Sequence, residues 1–256
     1  MLAAPLAPTV APPSGPVLFG RYAFGPNRLG YCGPDETEEL LALAAAGTDD
    51  GGLRSLARGF EGAFPYLELI AAANEIRDPL DRDVVEAYWL GNPLSAAVRE
   101  GQLHRSVEER FRARLAPPEW RWLEAAVAIG ARPVHAFHVL DVFPRVGLLR
   151  GEAVNDVLAT IDSCRIRWGR VEAVVGDQLI VSAVPLEQVD GKLRLASPQV
   201  EAVSRWLDGT GFVDDIEPGE MVAIHWSWAC DRLSPRQLHN LVAWTRLALW
   251  VANRAM

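Results

Sequence analysis

The sequence predicts an α+β fold: a mainly α-helical N-terminal domain followed by a small antiparallel β-barrel that ends in a C-terminal helix. Three observations carry this. Apolar residues recur at helical spacing, with few β-branched runs, from about Val17 to Thr160. After Cys164 the period changes to two, and a helical period returns beyond Ser234. Half of the 256 residues are apolar, enough to bury real cores.

The opening MLAAPLAPTVAPPSGP is proline-rich and has no basic segment, so residues 1–16 read as a flexible tail rather than a signal peptide. Residues 17–161 form the predicted helical domain. GPDETEELLALAAAG has Pro34 and acidic residues at its start, leucines at helical spacing and Gly47 as a stop. DPLDRDVVEAYWLGN follows the same grammar and ends at Gly91, and PPEWRWLEAAVAIG is closed by Gly130.

Residues 162–256 form the predicted OB-like barrel with its helix. Gly176-Asp177 and Asp190-Gly191 each separate two apolar runs as hairpin turns do, which predicts a three-stranded meander. SPQVEAVSRWLDG reads as a helix capped by Ser197 with Pro198 in its first turn. A strand then begins at Glu220, with Val222, Ile224, Trp226 and Trp228 on one face and Met221, Ala223, His225 and Ser227 on the other. If the tryptophan face is core, His225 points away from it. The last segment opens on SPRQ, where Ser234 and Gln237 form a capping box, and continues as a helix laid on the barrel.

A net charge of -8 excludes a broad nucleic-acid surface, which needs clustered cations. The one lysine is Lys192. Cys32, Cys164 and Cys230 are odd in number and widely spaced, as expected of free thiols in a reducing cytoplasm rather than of a disulfide framework. No apolar run reaches membrane-spanning length, and Arg246 interrupts the tryptophan-rich C-terminal segment. The chain has no phosphate-binding loop, dinucleotide glycine signature or serine-hydrolase elbow.

The remaining chemistry lies in thiols and imidazoles. His135 and His138, three apart in RPVHAFHVLDVFP, would be neighbours on a helical turn and opposed on a strand. Cys32 in LGYCGPDE precedes a helix whose amides would lower its thiol pKa. Cys230 reads as structural, with a lesser claim to the site. Asp49-Asp50 and Asp214-Asp215 read as solvated loops.

CRIRWGRV, from Cys164 to Val171, resembles the opening of the HypC/HupF family of [NiFe]-hydrogenase maturation chaperones. PGEMVAIHWSWA resembles that family's histidine-bearing strand and is likewise followed by a turn and a final helix. The N-terminal portion, with FGRYAFGPNRLGYCGPDE, resembles actinobacterial proteins of hydrogenase gene clusters. The resemblance implies that Cys164 and His225 bind iron as an Fe(CN)2CO unit in transit to the hydrogenase large subunit, with HypD-like scaffold proteins as further partners. It implies a carrier rather than a catalyst. A thiolate and a neutral imidazole also suit low-spin iron on chemical grounds.

Two other readings stay open at this level. One is a small metal-dependent enzyme in which His135, His138 and either Cys32 or His225 hold iron or zinc. The other is a cofactor-free interaction protein that shares only the barrel.

Overall fold

The computed structural model describes residues 12–146 and 157–255. Its central element is α1 (Gly15–Asn27), which is buried around nearly its whole circumference and leaves only Arg21 partly exposed. A mostly apolar helix of this kind belongs inside a core. It packs against α2 (Thr37–Ala46) and α3 (Gly51–Arg58). Beyond α4 (Phe64–Ala73) the chain returns to it as α5 (Arg82–Trp89), which packs on both α1 and α4. Gly47 ends α2 in the left-handed conformation, φ 68°, as its position in the sequence predicts. Asp50 caps α3 by accepting the Leu53 N–H at 3.0 Å, so the Asp49-Asp50 pair is partly a helix start rather than a plain solvated loop.

The helical layer continues through α6 (Pro93–Ala97), α7 (Glu100–Phe111), α8 (Pro117–Ala128) and the single turn α9 (His135–Phe137). The chain widens into a π-helical turn over His138–Val142, an arrangement that recurs near functional sites. α10 (Val157–Cys164) then leads into the strands, so Cys164 ends a helix and precedes the first strand.

β1 (Arg167–Val175) and β2 (Gln178–Ala183) form the hairpin expected at Gly176-Asp177. β3 (Leu186–Val189) and β4 (Lys192–Leu195) turn at Asp190-Gly191, but they stand apart as a two-stranded ribbon. The expected three-stranded meander is therefore not formed. The predicted helix from Ser197 is also replaced, by β5 (Gln199–Ser204), β6 (Trp206–Leu207) and β7 (Thr210–Gly211). Pairing with β2 in an unbroken register, from Gln178–Ser204 to Ala183–Gln199, overrides the local helix signals.

β8 (Met221–His225) and β9 (Trp228–Arg232) complete a sheet that closes on itself in the order β1-β2-β5-β9-β8. The closing contact of β5 with β9 is the single parallel pair Ser204–Trp228. Trp226 and Ser227 form a two-residue turn with φ 51° and 56°, so the strand expected to run through Trp228 stops at His225. Both faces of β8 are buried. Val222 and Ile224 fill the barrel with Val171, Val181 and Val203, while Ala223 joins Ile166, Trp168, Trp228 and Cys230 in the core of the helices.

α11 (Pro235–Ala255) begins with the expected box: the Ser234 N–H donates to Gln237 Oε1 at 3.0 Å. It packs on α8, α9 and β4 instead of lying across the closed sheet. Gly15 and Pro16, assigned from sequence to the tail, open α1 and are buried. Residues 1–11 lie outside the described part. No helix among the described residues is long and apolar enough to cross a membrane.

Candidate metal site

The site is built where α1, α9, α10 and the β8–β9 hairpin meet. Gly25 lets α1 approach the end of β8: a Cβ there would sit 2.3 Å from the carbonyl oxygen of His225. Nearby on α1, the Tyr22 carbonyl would ordinarily accept the N–H of residue 26, but residue 26 is proline. His225 takes that place, donating Nδ1–H to the Tyr22 oxygen at 2.7 Å. That bond assigns the single proton of the neutral ring to Nδ1 and leaves Nε2 as a lone pair. Nε2 of His225 is buried and has no hydrogen-bond partner.

The C-terminus of α10 presents carbonyls without helical partners. Ser163 accepts the Trp226 N–H at 2.9 Å, tying the helix end to the hairpin that follows His225. Cys164 accepts Nε2–H of His135 at 2.8 Å. On the far side of its ring, His135 Nδ1 lies 3.2 Å from the Tyr88 hydroxyl, which donates to it in this tautomer.

These bonds bring one ligand atom each from His135, Cys164 and His225 to within 4.8 Å of one another. Cys164 and His225 therefore share a site, and His135 joins them. The three line a cavity of about 60 Å³ walled mainly by Phe60, Tyr88, Trp89, Phe143 and Trp226. Trp89 backs both imidazoles, with ring centroids 4.7 Å from His135 and 5.8 Å from His225.

Burial keeps the imidazoles neutral. It pushes His225 down to about 4 and His135 well below its ordinary value, the latter helped by His225 beside it. Burial also pushes the Cys164 thiol up to about 12, with the indole of nearby Trp226 pulling the other way. The isolated thiol is therefore protonated and unreactive, and a metal cation would have to supply the charge that stabilises its thiolate.

The residues fit a transition metal. Thiolate sulfur and imidazole nitrogen form a donor set suited to iron or zinc. The bond from His225 Nδ1–H to a backbone carbonyl is the outer contact that orients a metal-binding imidazole and frees its other nitrogen. For His135 to offer Nε2, its proton must move to Nδ1, where the Tyr88 oxygen is placed to accept it.

The other expected candidates lie outside the three-residue group whose ligand atoms come within 4.8 Å of one another. His138 turns to the Tyr66 hydroxyl, 3.4 Å from its Nδ1, and is not among the three. Its pairing with His135 fails because each ring docks on a different tyrosine. Cys230 is fully buried on β9 with its Sγ 3.5 Å from the Trp228 carbonyl, a packed structural thiol. Cys32 sits in the α1–α2 loop ahead of Thr37, where α2 begins, so helix amides do not activate it. Desolvation and the neighbouring Cys164 push its thiol up, to about 12, opposite to the expected direction. Tyr22, Pro26, Tyr88 and Trp89 carry no metal-ligand signature of their own, and sequence reasoning misses them. Pro26 four residues after Tyr22 is a signal for the free Tyr22 carbonyl alone, and nothing local marks Tyr88 or Trp89.

Residues 11–256 match a protein family described as a family of unknown function, DUF6390. The chain belongs to the DUF6390 family. No curated protein and no solved structure matches this DUF6390 chain.

Proposed function

We propose that the chain is a metallocentre assembly factor that holds an iron unit, Fe(CN)2CO, through Cys164 and His225 on its way to a [NiFe]-hydrogenase large subunit. The observation that carries the reading is the convergence of a half-buried thiol and an unpartnered, buried imidazole nitrogen at one cavity. These are the two residues that the HypC/HupF resemblance singles out. A small closed sheet followed by a C-terminal helix is consistent with that resemblance and with an OB-like barrel. One thiolate and one imidazole leave coordination positions for diatomic ligands and for transfer. The helical layer would then recognise the partner or replace a separate HypD-like scaffold.

The test is infrared spectroscopy of protein purified anaerobically after co-expression with hydrogenase maturation factors. Cyanide and carbonyl stretches are expected in the parent and not in Cys164→Ala or His225→Ala. A parent that supports maturation but shows no such bands contradicts the carrier role.

A second reading has its own observation. His135 adds a third ligand, and the cavity is walled by aromatic rings, which suits a resident iron or zinc in a metal-dependent enzyme. In that case metal remains bound in stoichiometric amount without any diatomic bands.

A further inference from the structure

We propose that Cys32 is the fourth, solvent-side ligand of this site, making the full donor set two cysteines and two histidines for a first-row divalent metal. The proposal rests on the second reading above, a resident metal; an Fe(CN)2CO unit, with three diatomic ligands of its own, leaves no room for four protein ligands. Cys32 is an exposed residue, yet it lines the same cavity as His135, Cys164 and His225 and also the wider cleft of about 540 Å³ outside it. Its Sγ is not within 4.8 Å of all three ligand atoms, so it stands between solvent and the inner three and must draw in with its loop to reach a bound ion.

A loop thiol alone would carry nothing. What points to a ligand is Nε2 of His225, whose residue is 1% exposed, left without a partner at the same cavity. The loop is also built to present Cys32. Buried Asn27 donates to the Cys32 carbonyl at 3.0 Å and to the Pro34 carbonyl at 2.7 Å, while Thr37 donates to Asn27 Oδ1 at 2.8 Å. Beside Cys32, Tyr31 stacks on Trp226, the residue after His225, with centroids 4.0 Å apart. The loop bearing one thiol is thus joined to the hairpin bearing one imidazole.

Three ligands leave a position open, whereas two thiolates and two imidazoles close a four-coordinate site. Binding a divalent ion to the full set releases the two thiol protons to solvent and shifts the His135 proton from Nε2 to Nδ1. Cys32, which faces the outer cleft, is the ligand an incoming ion meets first and the one whose release reopens the site.

The experiment is an anaerobic, reductant-protected titration of the full-length protein with Co(II) alone, following the thiolate-to-cobalt charge-transfer band. The parent is expected to bind one ion per chain. Cys32→Ala and Cys32→Ser are expected to keep a native far-UV spectrum, lose about half the band and bind at least about tenfold more weakly. Full intensity and affinity in both Cys32 variants, with loss in Cys164→Ala, overturns the fourth ligand and leaves the three-residue site standing. A parent that binds no Co(II), or unchanged binding in Cys164→Ala, overturns both.

Discussion

His225 Nδ1 lies 2.7 Å from the Tyr22 carbonyl, the acceptor that Pro26 leaves without its helical donor. A local defect in α1 thereby orients an imidazole two hundred residues away and brings its ring to Cys164 and His135. Pro26→Ala restores an N–H that competes for the same carbonyl. The expected result is unchanged or raised thermal stability with metal affinity lowered about tenfold, the scale of losing an orienting contact. Isothermal titration beside a melting curve separates the two effects.

Gly25 answers to a steric limit. A Cβ at this position would come within 2.3 Å of the His225 carbonyl oxygen, so Gly25→Ala must push α1 away from β8. Overpacking of this kind destabilises by about 1–3 kcal/mol. Urea unfolding should show that loss, and metal binding should weaken in parallel because Tyr22 and His225 move apart.

The Tyr31–Trp226 stack covers the side of the cavity that faces the loop. Stacked aromatic pairs contribute about 0.5–1.5 kcal/mol beyond their buried area. Tyr31→Ala should leave the fold intact and speed metal removal by a chelator about two- to tenfold, measured by stopped flow. An unchanged release rate would show that the stack does not control access.

Buried His138 governs part of the acid response. Burial, with Arg110 adding to it, pushes this ring from 6.5 down to about 3. Its folded value lies below its unfolded one, so its contribution to stability is complete above pH 6.5 and is lost as pH falls towards about 3. Replacing it by glutamine should flatten the dependence of unfolding free energy on pH in that window by about 1.4 kcal/mol per pH unit. Chemical denaturation at a series of pH values measures the slope.

What is legible in the sequence follows the range of the forces involved. α2, α5, α8 and the start of α11 are set by nearby caps, glycines and apolar spacing, and the sequence shows them. The segment from Ser197 carries the same local signals but becomes β5, because its partner strand β2 lies beyond any local window. Cys164 and His225 are singled out by a family resemblance rather than by spacing. His135 is visible as a ligand candidate but only in company with His138, since spacing on one turn cannot tell that one ring will meet Cys164 and the other Tyr66. The aromatic shell arises entirely from tertiary packing.

The central claim is that a metal is held by sulfur and imidazole at His135, Cys164 and His225. X-ray absorption at the edge of the metal bound to anaerobically purified protein tests it most directly. The account predicts sulfur scattering together with imidazole nitrogen, and loss of the sulfur shell or of the metal in Cys164→Ala. A shell of oxygen and nitrogen alone, unchanged by that substitution, would contradict it.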